Sequence, residues 1–143
     1  MPMPQEYQRA GEAFDAFLRD AMDELDHATR NQAYTTVQGV LRAFRDRLTV
    51  EEGVRFAGVL PPVLRALFVA DWPVDAVPKP FGTRAAMTRE VQSVRADHNF
   101  APASAIADVS RALRRHVDVA RFDAVLRSLP DGAETFWSAR DGR

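Results

Sequence analysis

Apolar residues recur at helical spacing along most of the chain. Ala10, Phe14, Phe17, Leu18 and Met22 return every three or four positions, the signature of one helix face over about 6–25. Tyr34, Val37, Val40, Leu41, Phe44 and Leu48 do the same over about 28–48. Thr49 followed by Glu52 forms a capping-box pattern and opens a short third helix bearing Val54, Ala57 and Leu60. Pro61 and Pro62 stop that helix and suit the first turn of a fourth, where a missing N–H costs nothing. The fourth carries Val63, Leu64, Leu67 and Phe68.

A stretch with Pro73, Pro78 and Pro80 follows and reads as an extended crossing. The scheme then restarts. Thr83 or Thr88 caps a helix with Val91 and Val94 that ends near His98, and residues 104–117 give the next. Asp118 stands where Thr49 stood, and Pro130 is expected to begin the last helix. Sliding the chain by 69 positions lays 37–70 over 106–139 without a gap. Val40, Arg42, Ala43, Arg45, Val50, Leu60 and Pro61 then meet Val109, Arg111, Ala112, Arg114, Val119, Leu129 and Pro130. Between the identities polarity is kept, as in Phe44 with Leu113 and Phe68 with Trp137. Such self-similarity points to an internal repeat. No Asn-Gly or Asp-Gly hairpin lies between alternating runs.

The expected fold is therefore all-α and internally duplicated, about four helices per repeat, without a β-sheet. Repeat one covers about 6–70, a Pro-rich linker 71–82, and repeat two about 83–139. A unit of some 60 residues buries a modest fraction of its surface. The two halves are therefore expected to share one core within a single domain over 1–143, with Phe68, Trp72, Phe136 and Trp137 as anchors.

Composition narrows the chemistry. Among 143 residues there is no cysteine, which removes disulfides, thiolate metal sites and cysteine nucleophiles. The net charge is −1, so no strong overall field draws the chain to nucleic acid. Eighteen arginines stand beside one lysine, Lys79. No run approaches the ~18 apolar residues of a membrane span, and no signal-peptide pattern opens the sequence. A cytoplasmic protein of bacterial type, without membrane contact, is expected.

The residues carry a resemblance. The helix Val40-Leu41-Arg42-Ala43-Phe44 with its short successor ending in Leu60-Pro61, the Asp71-Trp72-Pro73 link, and the second copy from Val109 through Leu129-Pro130 together resemble the bacterial domain of unknown function 2267 family. The likeness covers roughly residues 10–139. It implies an all-helical duplicated fold and brings no activity, cofactor or catalytic residue.

The site candidates are few. Asp26-His27 and Asp97-His98 both fall near the end of the first helix of their copy, and if brought together they would offer ligands for a divalent metal. Set against this, a histidine at a helix C-terminus is favoured simply by the exposed carbonyls and the dipole. Arg42, Arg45 and Arg47, with Arg111, Arg114 and Arg115 on the equivalent helix, would suit phosphate groups or an acidic partner. However, residues 1–27 carry seven acids against two arginines, while 28–48 carry four arginines against one acid. Neighbouring helices of opposite charge are expected to satisfy each other. There is no phosphate loop, no His-Glu-x-x-His and no nucleophile elbow. The expectation is a non-enzymatic protein-interaction or scaffold module without a cofactor, contacting a protein partner or itself. The alternative is a small-ligand or metal-binding protein with its site between the halves.

Overall fold

The computed structural model describes residues 2–140. Among these the protein is all-helical: α1 (Gln5–Gln8), α2 (Ala10–Leu25), α3 (Arg30–Arg45), α4 (Val50–Ala57), α5 (Pro62–Val69), α6 (Arg84–Ser93), α7 (Ala105–Arg114), α8 (Val119–Arg127) and α9 (Ala133–Phe136). A single 3₁₀ turn, Ala96–His98, precedes α7.

Local chemistry sets most of the boundaries. The Thr49–Glu52 capping box forms as the sequence predicts, with Glu52 N donating to Thr49 Oγ1 at 3.2 Å and Thr49 N to Glu52 Oε1 at 2.8 Å. Its counterpart is Asp118, which accepts from Arg121 N at 3.2 Å and opens α8. A second capping box, Thr29 with Gln32, starts α3 at Arg30 rather than at Ala28. Pro62 takes the first turn of α5 and Thr83 caps α6.

Three boundaries depart from the periodic pattern. The first predicted helix is two, because the backbone at Arg9 leaves the helical region. The helix expected to end near His98 stops at Ser93, since Arg95 turns left-handed and Asn99 Nδ2 donates to the carbonyls of Val91 at 2.8 Å and Val94 at 2.6 Å. The last helix begins at Ala133, not Pro130. Gly132 has φ +104°, and a Cβ there would lie 2.6 Å from the Phe81 ring.

Helix packing crosses the linker. The most extensive contact is α2 against α7, and the next is α3 against α6. One buried apolar cluster draws on residues before and after the linker, including Phe17, Phe44, Phe56, Phe68, Val91, Ile106, Leu113, Phe122 and Trp137. Its centre is aromatic. Phe44 lies 4.7 Å from Phe56 and 5.0 Å from Phe136 between ring centroids, and Phe56 stacks on Trp137 at 5.6 Å. Trp72 comes so close to α4 that a Cβ on Gly53 would stand 2.0 Å from its ring.

Several details recur 69 positions apart. Asp26, the C-cap of α2, and Arg95, one residue past the C-cap of α6, are both left-handed, at φ 54° and 51°. Arg45 Nη1 donates to Phe68 O at 3.0 Å, while Arg114 Nη2 donates to Trp137 O at 3.0 Å. The N-caps Thr49 and Asp118 stand at the same interval.

Candidate functional site

The two histidine pairs occupy different settings. His27 follows the left-handed C-cap of α2, and its Nε2 lies 2.9 Å from Thr36 Oγ1. Burial lowers its pKa, with the charges of Asp108 and Asp26 opposing. His98 is exposed on the 3₁₀ turn, as is Asp97 beside it, and Asp26 is exposed as well. In the recurring register Asp26 corresponds to Arg95, so the Asp97-His98 pair sits two residues off. Among the described residues no three His, Asp or Glu side chains gather as a metal ion would require. His116, the third histidine, has its Nε2 2.6 Å from Asp20 Oδ2 and packs edge-on to Phe17.

The six arginines are placed more informatively. On α7 and just beyond it they are fastened by carboxylates. Arg111 Nε donates to Glu24 Oε2 at 2.9 Å, Arg111 also bonds Asp108, and its Nη1 reaches Ala139 O at 2.7 Å. Arg114 Nη1 donates to Asp123 Oδ1 at 3.0 Å. Arg115 bonds Glu24. The hydrogen bond from Arg111 above all, and then that from Arg115, hold the Glu24 carboxyl below its ordinary range despite burial.

On α3 the pattern differs. Arg45 spends its Nη1 on the carbonyls of Phe68 and Ala70 and lies over the Trp72 ring. Arg47, just past α3, donates to Ala43 O at 2.6 Å and bonds Glu90. Burial pushes Glu90 up, but the bonds from Arg47 and Lys79 outweigh it and its pKa is lowered. The acidic amino-terminal helix thus satisfies α7 more than its sequence neighbour α3. Asp20 and Glu24 go to Arg115, His116 and Arg111, and across to α3 runs only the Asp15–Arg30 pair among the described ion pairs. Sequence reasoning expected neighbours to pair. It missed that the packing of α2 on α7 delivers the acids across the linker.

Concave features lie on this framework, among them two lined by arginines, one of which also holds His116. A cleft of about 290 Å³ is lined by Arg9 between α1 and α2, Pro61 and Arg65 at the start of α5, and His116, Val117 and Arg121 around the start of α8. Arg65 is held there by donating to Ala57 O at 3.1 Å and Leu60 O at 2.8 Å, the carbonyls that end α4. A smaller cavity of about 210 Å³ adjoins α3, where Arg42, Arg45 and Asp46 face Lys79 of the linker and Glu90 and Ser93 of α6. Neither Lys79 nor Ser93 stood out in the sequence by periodicity or motif.

These observations define an all-helical protein in which arginine side chains fasten helices to one another across a proline-rich linker. A family model described as "Uncharacterized conserved protein (DUF2267)" matches residues 14–136, and the chain belongs to that family. No curated protein matches it. Among the described residues no helix is long and apolar enough to cross a membrane.

Proposed function

We propose that the chain is an internally duplicated, non-catalytic helical module whose work is contact with a protein partner. The duplication is supported by the shared register of 69: left-handed residues at Asp26 and Arg95, paired N-caps, and an arginine-to-carbonyl bond in the same place in each half. The contact reading is carried by how the titratable groups are spent. Glu24 and Glu90 are held charged by arginines, the reverse of the upward shift that makes a carboxyl a proton donor near neutral pH. These pairs fix helices in place. Two apolar side chains stand well out of the core, Val54 on α4 at 62% exposed and Val77 in the linker at 86%.

The test is reconstitution. A protein captured by the chain is purified and titrated against wild type and against Val54→Asp and Val77→Asp. Saturable one-to-one binding that either substitution weakens about tenfold supports the reading. Binding indifferent to both substitutions overturns it.

The 290 Å³ cleft favours a second reading, a small-ligand site, because residues from before and after the linker line it together. In that case Arg121→Ala abolishes ligand binding, whereas Val54→Asp leaves it intact.

A further inference from the structure

The arginines of α3 and α7 stand in the same register but not in the same company. Arg111 and Arg114 meet three carboxylates, those of Glu24, Asp108 and Asp123. Sixty-nine positions away, Arg42 and Arg45 meet none of these. Ser93 stands at the place of Glu24, Gly39 at that of Asp108, and Val54 at that of Asp123. The substitutions are all in one direction, from an anion to a neutral residue. Gly39 is moreover fixed by packing, since a Cβ there would lie 2.7 Å from the carbonyl oxygen of Val91 on α6.

The 210 Å³ cavity is lined by Ser93, the residue at the place of Glu24, and not by Gly39 or Val54. Arg42 and Ser93 both line it, as Arg111 and Glu24 meet in the other half. The Nε atoms of Arg42, Arg45 and Arg47 are buried without a hydrogen-bond partner, and Arg45 is only 4% exposed. A buried guanidinium N–H with no acceptor carries a real desolvation cost, which native structures normally remove. The two carboxylates at the cavity are already engaged: Glu90 by Arg47 and by Lys79 at 3.2 Å, and Asp46 by Lys79 at 3.9 Å. The lining thus sets three cations, Arg42, Arg45 and Lys79, against two anions, Asp46 and Glu90. Burial, and among the nearby charges the like charge of Arg42, act to weaken the hold of Arg45 on its proton, opposed by Asp46 and Asp71.

We propose that this cavity binds a small dianionic oxyanion of the phosphate type on Arg42, Arg45 and Lys79, supplying from solution the charge that Glu24 supplies in the other half. Guanidinium groups present paired donors suited to such an anion, and Lys79 adds a point charge. The size agrees: the cavity is smaller than the ~300–1,000 Å³ of pockets that enclose drug-sized ligands, so the anion enters alone or on a small carrier.

The experiment is a titration of the full chain with inorganic phosphate against chloride at equal ionic strength, read by thermal unfolding and by calorimetry. Wild type is expected to show a saturable rise in Tm with one site per chain. Ser93→Glu places a carboxylate where Glu24 stands in the other half. It should unfold at higher temperature than wild type without phosphate and bind phosphate at least about tenfold more weakly. Arg42→Gln should also lose the response, and if it folds poorly the Ser93→Glu arm still decides. Inorganic phosphate and glycerol 3-phosphate run side by side separate a free ion from an esterified one, and a saturable response to either supports the site. A wild-type Tm equal in phosphate and chloride, or a Ser93→Glu protein that responds as wild type does, overturns the proposal.

Discussion

Helices α3 and α7 begin from nearly the same instructions and end with different electrostatics. Each carries arginines at matching positions, and each sends arginine donors to main-chain carbonyls further along the chain, Arg45 to Phe68 and Ala70, Arg111 to Ala139 and Arg114 to Trp137. On α7 the remaining donors meet Glu24, Asp108 and Asp123, whereas on α3 two Nε atoms are buried without acceptors. An arginine's role is thus not a property of the arginine. It is set by which residue the partner helix presents, Glu24 on α2 or Ser93 on α6.

That contrast can be broken at several levels. The largest effect is expected from the aromatic centre that residues before and after the linker share. Trp137→Ala and Phe68→Ala should each cost about 3–5 kcal/mol. Either should shift one cooperative unfolding transition, because a single apolar cluster spans the linker. Two separate transitions in chemical denaturation would show instead that the halves melt independently.

Next come the arginines themselves. Arg111→Gln should destabilise by about 1.5–3 kcal/mol, since it removes a charge-assisted bond from each of Glu24 and Asp108. Arg42→Gln in phosphate-free buffer should stay within about 0.5 kcal/mol of wild type. Equal costs in denaturant titrations would erase the distinction between the helices. The caps give a smaller and symmetric effect, with Thr49→Ala and Asp118→Ala each expected to lose about 1 kcal/mol.

Acid provides the finest comparison. Glu24 and Glu90 titrate lower in the folded chain than in the unfolded one, so the unfolded chain takes up protons first. Their contribution is complete above the ordinary glutamate pKa and is lost as pH falls through the lowered folded values. His27 is also lowered, so its neutral form supports the fold above about pH 6.5, and that support declines as pH falls below. Urea midpoints measured from pH 7.5 to 3 should therefore fall in two stages. Glu24→Gln should flatten the later stage and His27→Gln the earlier one. A wild-type profile flat from pH 7 to 5 would count against the His27 assignment.

Much of the helical order was legible because it is written locally. The stripe of Val37, Val40, Leu41 and Phe44 gave α3, and Thr49 with Glu52 gave the start of α4. The misplaced boundaries came from cues the periodicity does not contain. Gly132 delays α9 through a backbone conformation, and Asn99 ends α6 from five residues beyond Val94. The ion pairs were hidden for a deeper reason. Charge blocks in sequence suggested that α2 would pair with α3, yet the partner of Glu24 is decided by which helix packs on α2. One lining residue of the cavity beside α3 was legible all the same, because a shift of 69 positions sets Ser93 opposite Glu24. An anion that is missing leaves no motif.

The linker carries one last implication, for how the molecule is cut. Between Arg65 and Arg84 the only basic residue is Lys79, and Pro80 follows it, a bond that trypsin does not cleave. The non-helical strap between the halves, ordinarily the place a protease enters first, is therefore silent to trypsin in a chain with eighteen arginines. Nearly every tryptic site lies on a helix or at its edge. Digestion rates in native buffer will consequently report how often helices open, with no background from the strap that joins them.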